Sequence, residues 1–415
     1  MTATDPATRP TPRAESPEID EAGDPLTVEG IREAIAPILE RIGATAGSRE
    51  RTRDYSFDDV RALADAGIAL TGIARDDGGA GGTIRDVADL VIEIARADSN
   101  VAQALRGTFL LANQIAGRPD LPLRSVNLGR LRARALFSAT GNERNGGAGG
   151  SVTTTARRVD GGYVVNGRKY YSTGGLYASY FSTSAVTDDG TTLRFTIPTD
   201  RRGVNRLDDF DAVGQRLTQS GSTRLDDVHV GDDEVVIIDD AQPDNPWLGS
   251  FAQLYLAAVQ AGIAARALDD AVWFVRERAR PIKHSSATDS TDDPYVRETV
   301  GEIASRAQAA RAVVLLGAES LQGVRGRSGA QARTAGAAAA VTVAQAGVVA
   351  IESALQATQL VFDVGGGSIT DREYGFDRHW RNARTAANHN PRQWKSAVAG
   401  AYHLTGAEPP TTGLF

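Results

Sequence analysis

The sequence VVNGRKYYSTG occupies residues 164–174, in the middle region of the chain. The composition of this stretch differs strongly from that of the first and last thirds of the chain. It is rich in β-branched and aromatic residues, which favour strands, and its Asn166-Gly167 pair is typical of a hairpin turn. Similar segments lie on both sides of it, separated by turn signals such as Asp160-Gly161-Gly162 and Asp188-Asp189-Gly190. We therefore predict a middle antiparallel β-domain over residues 135–240.

The apolar residues before this β-domain recur with helical spacing. Ile31, Ile35, Ile38, Leu39 and Ile42 mark a first helix, which we expect to end at the glycines of residues 43–47. Ser56 and Thr83 are candidate N-caps of the next two helices, and residues 98–115 are expected to form another. The first third of the chain is thus predicted to be all helical.

Long Ala- and Leu-rich segments follow the β-domain and predict a four-helix bundle. Its expected helices cover residues 251–280, 294–322, 330–363 and 378–404. The predicted units are a disordered tail, an N-terminal α-domain, the β-domain, the bundle and a C-terminal tail, at residues 1–26, 27–134, 135–240, 245–405 and 406–415. The fold class is α+β.

The amino-acid composition excludes several kinds of catalytic site and partner. The chain of 415 residues contains no cysteine, which excludes disulfides, thiolate zinc sites and thiol nucleophiles, so redox chemistry requires a bound cofactor. A net charge of -7 provides no basic field for nucleic acid. We expect no membrane association and a cytoplasmic location, because no charged-then-apolar leader or long uncharged apolar run stands out. We also expect no metal, since the histidines lack acidic neighbours at ligand spacing, and neither a Walker loop nor a dinucleotide fingerprint is present.

Two stretches resemble the acyl-CoA dehydrogenase superfamily. Residues 66–68 with residues 77–81 look like its N-terminal loop, and residues 164–174 look like its flavin-facing strand. Further motifs resemble the dibenzothiophene monooxygenases and sulfur-acquisition oxidoreductases within that superfamily. These motifs lie at residues 197–199, 208–210, 213–216, 220–223, 279–281, 293–295 and 374–385.

This resemblance implies a two-component, flavin-dependent monooxygenase. Such an enzyme receives reduced flavin, FMN more than FAD, from a separate NAD(P)H-dependent flavin reductase. It reacts with O2 through a C4a-(hydro)peroxyflavin and oxygenates a small molecule at sulfur, nitrogen or an aromatic carbon. The family's flavin sites are completed across subunit boundaries, which implies a homotetramer.

Residues 389 and 390 decide between this reaction and dehydrogenation. Most acyl-CoA dehydrogenases carry a catalytic glutamate where the resemblance places Asn390, and an amide cannot accept the α-proton of a thioester. His389 matches the histidine that the monooxygenases place beside the flavin. Imidazole, whose ordinary pKa is about 6.5, can either donate to the peroxide or accept its proton. We expect His389 to control formation or protonation of that intermediate.

The resemblance implies several further contacts with the flavin. Thr173 would bond near flavin N5 or the peroxide, Tyr171 would stack on the ring, and Thr140 and Asn142 would hydrogen-bond its pyrimidine edge. Arg280 resembles an arginine that binds the flavin phosphate of a neighbouring subunit. The other cofactor-binding candidates are Gly366, Gly367, Ser368 and Asn390.

Three positions depart from the dibenzothiophene enzymes. Ala386 replaces a second histidine, Phe210 replaces a substrate-pocket tryptophan, and Ser368 replaces an arginine near the cofactor phosphate. These changes leave the substrate open. Two alternatives remain: an acyl-CoA dehydrogenase with bound FAD, whose base lies on another helix, and a degenerate flavoprotein-like scaffold without catalytic activity.

Overall fold

The computed structural model describes residues 25–144, 152–238, 249–327, 329–411 and 415. Residues 1–24 of the predicted disordered tail lie outside this range. Six helices come first: α1 Val28–Thr52, α2 Phe57–Asp65, α3 Ile84–Ala97, α4 Ser99–Ala104, α5 Arg106–Gly117 and α6 Arg124–Arg132. The predicted cap of α3 is confirmed, because the Thr83 hydroxyl accepts from the Asp86 N–H while the Asp86 carboxylate accepts from the Thr83 N–H.

Two details of this helical region differ from expectation. Helix α1 does not end at its glycines but continues to Thr52. Gly43 is buried there, and a Cβ at this position would lie 3.1 Å from Arg266 Nη1, so the glycine provides room for close packing. The helix predicted over residues 98–115 is divided at Leu105 into α4 and α5.

The described strands of the middle region form one eight-stranded sheet, ordered β6-β7-β3-β2-β4-β5-β8 with β1 beside β4. The strands are β1 Phe137–Thr140, β2 Thr155–Val159, β3 Gly162–Lys169, β4 Tyr180–Thr187, β5 Thr192–Pro198, β6 Val204–Arg206, β7 Thr223–Gly231 and β8 Val235–Ile237. Most pairings are antiparallel, as predicted; β1–β4 and β2–β4 are parallel. The sheet has an apolar core of its own, formed around Val165, Phe181 and Phe195.

The Asn166-Gly167 pair is not a hairpin turn, and this prediction was wrong. It lies inside β3, where the pairing with β7 shifts between Val165 and Gly167. The Asn166 amide exchanges hydrogen bonds with Asp227 on β7, at 2.9 and 2.8 Å. A Cβ on Gly167 would lie 2.5 Å from Thr154 Oγ1, so the bulge needs glycine because the neighbouring chain is so close.

Five α-helices follow in the described residues after the sheet: α7 Phe251–Glu277, α8 Pro294–Gln322, α9 Gly329–Leu360, α10 Asp377–Ala387 and α11 Arg392–Thr405. The fourth bundle helix, predicted as continuous over residues 378–404, is instead α10 and α11 with a break between them. Pro391 explains the break, because proline supplies no N–H and restricts the residue before it. The break brings His389 and Asn390 out of helical geometry.

One large apolar cluster joins the N-terminal helices to the bundle, with α3 packed along α7. Among the described helices, two are long and apolar enough to span a membrane by length and composition, Phe251–Glu277 and the helical segment Gly329–Val364. Most of each apolar window is buried inside the protein. The apolar residues of these two helices therefore form part of the core of the bundle.

Candidate active site

Thr173 lies just beyond the end of β3, at the junction between the sheet and the helices. Its hydroxyl lies 2.9 Å from Ser220 Oγ, and its carbonyl accepts a 2.8 Å hydrogen bond from Ser138 Oγ. The next residue, Gly174, has φ 78°, and a Cβ there would lie 2.2 Å from the Ala104 carbonyl oxygen at the end of α4. The turn is thus pressed against α4, and the Thr173 hydroxyl is held in one place.

Tyr171 presents an aromatic face beside this turn. Its side chain is about half exposed, its φ is 60°, and its ring centroid lies 4.5 Å from that of Tyr170. A non-glycine residue in the left-handed region is strained, and such strain is concentrated at functional sites. The Tyr171 ring is therefore partly accessible from solvent beside the turn at Thr173.

The two candidates for the pyrimidine edge differ in their surroundings. Thr140 is buried at the end of β1, and its hydroxyl lies 2.7 Å from Ser172 Oγ. Asn142 is exposed, and its carbonyl accepts from the Tyr170 N–H at 2.8 Å. Only Asn142 has a side chain at the surface.

A buried ion pair supports this part of the sheet. Lys169 Nζ donates to Glu143 Oε1 at 2.6 Å, and both side chains are almost fully buried. Burial alone raises the pKa of Glu143, but hydrogen bonds from Lys169, Thr153 and Thr154 offset this and lower it to about 2. Glu143 lines a cleft of about 310 Å³ that Tyr170 also lines.

His389 occupies the break between α10 and α11. Its Nδ1 lies 2.8 Å from Asn390 Oδ1, and Gln253 Nε2 on α7 donates to the same oxygen at 3.1 Å. Gln253 Oε1 accepts from Lys395 Nζ on α11 at 2.7 Å. These four residues bring together the break, the start of α7 and the start of α11.

His389 is exposed at the break between the helices, although protein atoms surround much of its imidazole. Desolvation, followed by the positive charge of Arg106, lowers its pKa to about 4. The ring is therefore neutral at pH 7. Among the described residues, the groups that shift this pKa are Arg106, Asn390, Lys395 and the backbone of His389, and none is a carboxylate.

The motifs at residues 213–216 and 374–385 pack against each other. The Gln215 N–H donates to Asn382 Oδ1 at 2.6 Å, and Arg381 Nη1 donates to the Val213 carbonyl at 3.2 Å. A Cβ on Gly214 would lie 2.1 Å from the Arg381 carbonyl oxygen. Helix α10 is therefore anchored to the loop that also carries Ser220, the partner of Thr173.

Two other residues singled out in the sequence lie in well-packed surroundings. His379, which lacked an acidic neighbour in the sequence, bonds through Nε2 to Asp270 Oδ2 on α7 at 2.8 Å, and Arg378 Nη2 contacts the same oxygen at 2.7 Å. Phe210 is buried, and its carbonyl accepts from Arg53 Nη2 at 2.8 Å. The structure thus places Phe210 against the end of α1.

The candidate phosphate-binding residues lie elsewhere. Arg280 follows the end of α7, and Gly366 approaches the same loop, since a Cβ on it would lie 4.0 Å from Ile282. Gly367 and Ser368 continue this exposed turn. Helix α7 rises ~36 Å between Gln253 and Glu277, so this group and His389 belong to opposite ends of one helix. Within one chain, the structure does not bring them together.

The residues around Thr173 fit a flavin. Three buried side-chain atoms nearby have no hydrogen-bond partner within the described part of the chain: Gln103 Oε1, Arg106 Nε and Gln219 Nε2. Unpaired buried polar groups are costly, and they indicate a ligand that offers both donors and acceptors. The pyrimidine edge of a flavin offers both. No group of three or more His, Asp or Glu side chains suited to a metal occurs among the described residues.

Three of these residues were missed in the sequence: Arg106, Gln253 and Lys395. Ser220 lies in the motif at residues 220–223, but the sequence analysis gave it no role. Gln253 and Lys395 are polar residues buried within largely apolar helices. That mismatch was a usable signal, because buried polar groups need a specific partner. Arg106 gave no comparable signal, since arginine is ordinary at a helix start.

The model of the acyl-CoA dehydrogenase middle domain matches residues 138–228, and that of the acyl-CoA dehydrogenase C-terminal domain matches residues 254–394. Dibenzothiophene monooxygenase from Mycolicibacterium goodii is 31% identical over 93% of this chain and 95% of its own length. The probable FMNH2-dependent monooxygenase SfnC from Pseudomonas putida is 28% identical over 84% and 88%.

Similarity to a solved structure agrees with this. The crystal structure of FMN-bound TdsC from Paenibacillus sp. A11-2 superimposes with a TM-score of 0.85 at 26% identity, covering 93% of this chain and all of the other. The family models, the near full-length relatives and the shared fold converge on one group. The chain belongs to the flavin-dependent monooxygenases of the acyl-CoA dehydrogenase superfamily, the family that includes the dibenzothiophene monooxygenases.

Proposed function

We propose that this enzyme takes reduced FMN from a separate NAD(P)H-dependent flavin reductase and oxygenates a small molecule at sulfur, nitrogen or an aromatic carbon. Reduced flavin, when bound, supplies two electrons to O2. One oxygen atom then enters the substrate, the other leaves as water, and oxidised flavin is released. We further propose that the enzyme acts in the cytoplasm.

One observation carries this proposal: a neutral imidazole and an amide occupy the break between α10 and α11. A dehydrogenase needs a carboxylate to accept a carbon-bound proton, and Asn390 cannot do so. His389 can accept a proton or a hydrogen bond in a cleft, and its lowered pKa keeps it neutral at physiological pH. The residues therefore favour oxygenation over thioester dehydrogenation.

The contacts described above suggest how the cofactor is held. Tyr171 would cover the ring, Thr173 would fix its central edge, and Asn142 would bind the pyrimidine end. Arg106 places a positive charge near His389, where an electron-rich ring or substrate group would be stabilised. Thr140 would act through Ser172, because its hydroxyl faces that residue inside the sheet.

We propose that a neighbouring subunit supplies the phosphate contacts. Arg280 and the turn at residues 366–368 are ~36 Å along α7 from His389, too far to contact the same flavin within one chain. Arg280 has no ion pair within the described parts of the chain, and a guanidinium suits phosphate oxygens. A homotetramer would bring this arginine to the partner's cofactor, and sedimentation of the purified protein tests that assembly.

The decisive experiment supplies chemically reduced FMN or FAD with ¹⁸O₂ and a panel of organosulfur, amine and aromatic compounds. We expect one ¹⁸O atom per product molecule, with FMN giving the higher yield of product per flavin oxidised. Hydrogen peroxide as the sole product with every compound would contradict the proposal for this panel.

Two controls address the alternatives. Anaerobic reduction of bound FAD by an acyl-CoA would identify a dehydrogenase. Failure to bind oxidised or reduced flavin would identify a non-catalytic scaffold.

A further inference from the structure

A chain of side-chain hydrogen bonds begins at a buried lysine and ends at His389. Lys395 Nζ donates to Gln253 Oε1, Gln253 Nε2 contacts Asn390 Oδ1, and the same oxygen lies 2.8 Å from His389 Nδ1. Lys395 and Gln253 are 3% and 4% exposed, so water cannot replace these contacts freely. This series of hydrogen bonds runs from α11 to α7 and then to the break between α10 and α11.

Lys395 determines which atom donates and which atom accepts in each hydrogen bond of this series. An ammonium group only donates, so Gln253 must turn its oxygen toward Lys395 and its nitrogen toward Asn390. Because an amide nitrogen only donates, Asn390 must present its oxygen, which also faces His389. His389 Nδ1 must then carry the proton, which leaves a lone pair on Nε2.

The packing around Lys395 is specific. A Cβ on Gly347 of α9 would lie 3.1 Å from Lys395 Cδ, so a glycine makes room for the lysine stem. Lys395 has no ion pair among the residues that the structure describes, and burial lowers its pKa to about 8. It is therefore still protonated at pH 7. Burying a lysine without a neighbouring carboxylate costs free energy. The contact that remains is the hydrogen bond from Lys395 to the Gln253 amide.

We propose that Lys395 and Gln253 are positioning residues that hold His389 in the Nδ1–H tautomer, which leaves Nε2 as the proton acceptor of the ring. The catalytic meaning of this inference rests on the proposed function. It selects one of the two roles that the sequence leaves open for His389. The neutral ring accepts a proton from the reacting group and can donate only after it has been protonated.

Gln253→Glu tests this with almost no change in size. Its carboxylate still accepts from Lys395 but cannot donate to Asn390. The Asn390 amide must then turn its nitrogen toward both neighbours, and His389 Nδ1 becomes an acceptor. The proton is expected to move to Nε2.

Lys395→Met removes the donor at the start of the series of hydrogen bonds, so this contact no longer sets the orientation of the Gln253 amide. We expect a mixture of His389 tautomers in this variant. Thermal melts followed by circular dichroism establish that both variants fold, and either one alone is sufficient for the test.

The readout is solid-state ¹⁵N NMR of protein labelled at the histidine ring nitrogens, at pH 7 and without flavin. The chain contains five histidines, and a spectrum of His389→Gln identifies the signals that belong to His389. The matched control is Gln345→Glu, because Gln345 Nε2 lies 3.0 Å from His403 Nε2 on the surface. That variant should affect His403 and leave the His389 signals unchanged.

A protonated Nδ1 and bare Nε2 in the wild type, inverted in Gln253→Glu, would establish the inference. A wild-type proton on Nε2, or no change in either variant, would overturn it. Product yield per reduced flavin gives the functional readout, and a loss of roughly 10²-fold is expected in Gln253→Glu, as for misplacing a general acid–base group. If the tautomers behave as stated but no wild-type oxygenation occurs, the proposed function fails and the tautomer assignment stands.

Discussion

Two histidines near the same helix show how a structural polar cluster differs from a functional one. His379, on α10, bonds to Asp270, and Arg378 and Arg266 also pair with that carboxylate. His389, in the break that follows α10, bonds to an amide and has cationic groups nearby. Burial is the largest cause in both cases, and it lowers the pKa of each histidine to about 4.

The difference therefore lies in partners and access. The two arginines of the His379 cluster share the carboxylate of Asp270, and His379 is only 5% exposed. The surface of the His389 ring is open, its cationic neighbours lack a carboxylate among the described residues, and Arg106 Nε is unpaired. Cationic groups without a carboxylate beside an exposed histidine can interact with a ligand. A shifted pKa alone would not have distinguished the two.

The largest effect is expected from removing the open histidine. His389→Gln should lower the yield of oxygenated product by roughly 10²–10⁴-fold, the range for loss of a general acid–base group. Reduced flavin should still be oxidised by O2, so hydrogen peroxide should replace the product. The measurement is product formed per reduced FMN consumed, by mass spectrometry and a peroxide assay.

The control for that experiment is His403→Gln, which changes an exposed histidine bonded to Gln345. Its product yield should equal that of the wild type. An unchanged yield in His389→Gln would remove this residue from the mechanism and break the contrast between the two clusters.

The next largest effect concerns the closed cluster. Asp270→Asn leaves Arg378 and Arg266 without their shared carboxylate, and breaking such a buried pair costs about 3–5 kcal/mol. We expect a loss of this size in the free energy of unfolding measured with urea. The adjacent Asp269→Asn is a matched control, since its ion pair with Arg96 is partly exposed and contributes about 1 kcal/mol or less. Equal losses in both variants would show that the buried carboxylate stabilises the fold no more than an exposed one does.

The sequence predicted the order of helices and strands well, because helical spacing and β-branched runs are local signals. It failed where a local signal was overridden by packing: Gly43 looked like a helix end, and Asn166-Gly167 looked like a turn. Both glycines admit a close neighbour instead. The Thr83 cap succeeded because its partner Asp86 is only three residues away.

The candidate site shows the same limit. His389 could be selected because its neighbours in the sequence resemble a known motif, and Asn390 because it replaces an expected acid. Gln253 and Lys395 lie more than a hundred residues apart and meet only when α7 packs beside α11. No spacing along the chain encodes that contact, so the tautomer of His389 could be inferred only from the folded protein.

A second closed pair tests the comparison through pH. Glu143→Gln leaves Lys169 buried without a counter-charge, so at pH 7 the variant should be less stable by about 3 kcal/mol. The folded-state pKa of Glu143 is about 2, below its ordinary 4.5, so the carboxylate stabilises the fold above pH 4.5. That stabilisation is lost as the pH falls through 2.

The difference in melting temperature between wild type and Glu143→Gln should therefore be constant above pH 4.5 and shrink from there to pH 2. Differential scanning calorimetry across this window gives the measurement. A difference that does not change with pH would mean that Glu143 does not stabilise the fold as a carboxylate.

The smallest effect sharpens the description of the open cluster. Desolvation is the largest cause of the low pKa of His389, and the charge of Arg106 comes second. Arg106→Met should therefore raise this pKa only part of the way from about 4 toward its ordinary 6.5, as measured by NMR titration of the labelled ring. Arg118→Met, which removes an exposed arginine paired with Asp120, is the control and should leave the titration unchanged. If the pKa of His389 is the same in Arg106→Met as in the wild type, desolvation alone lowers this pKa. Arg106 would then have to act on the ligand rather than on the histidine.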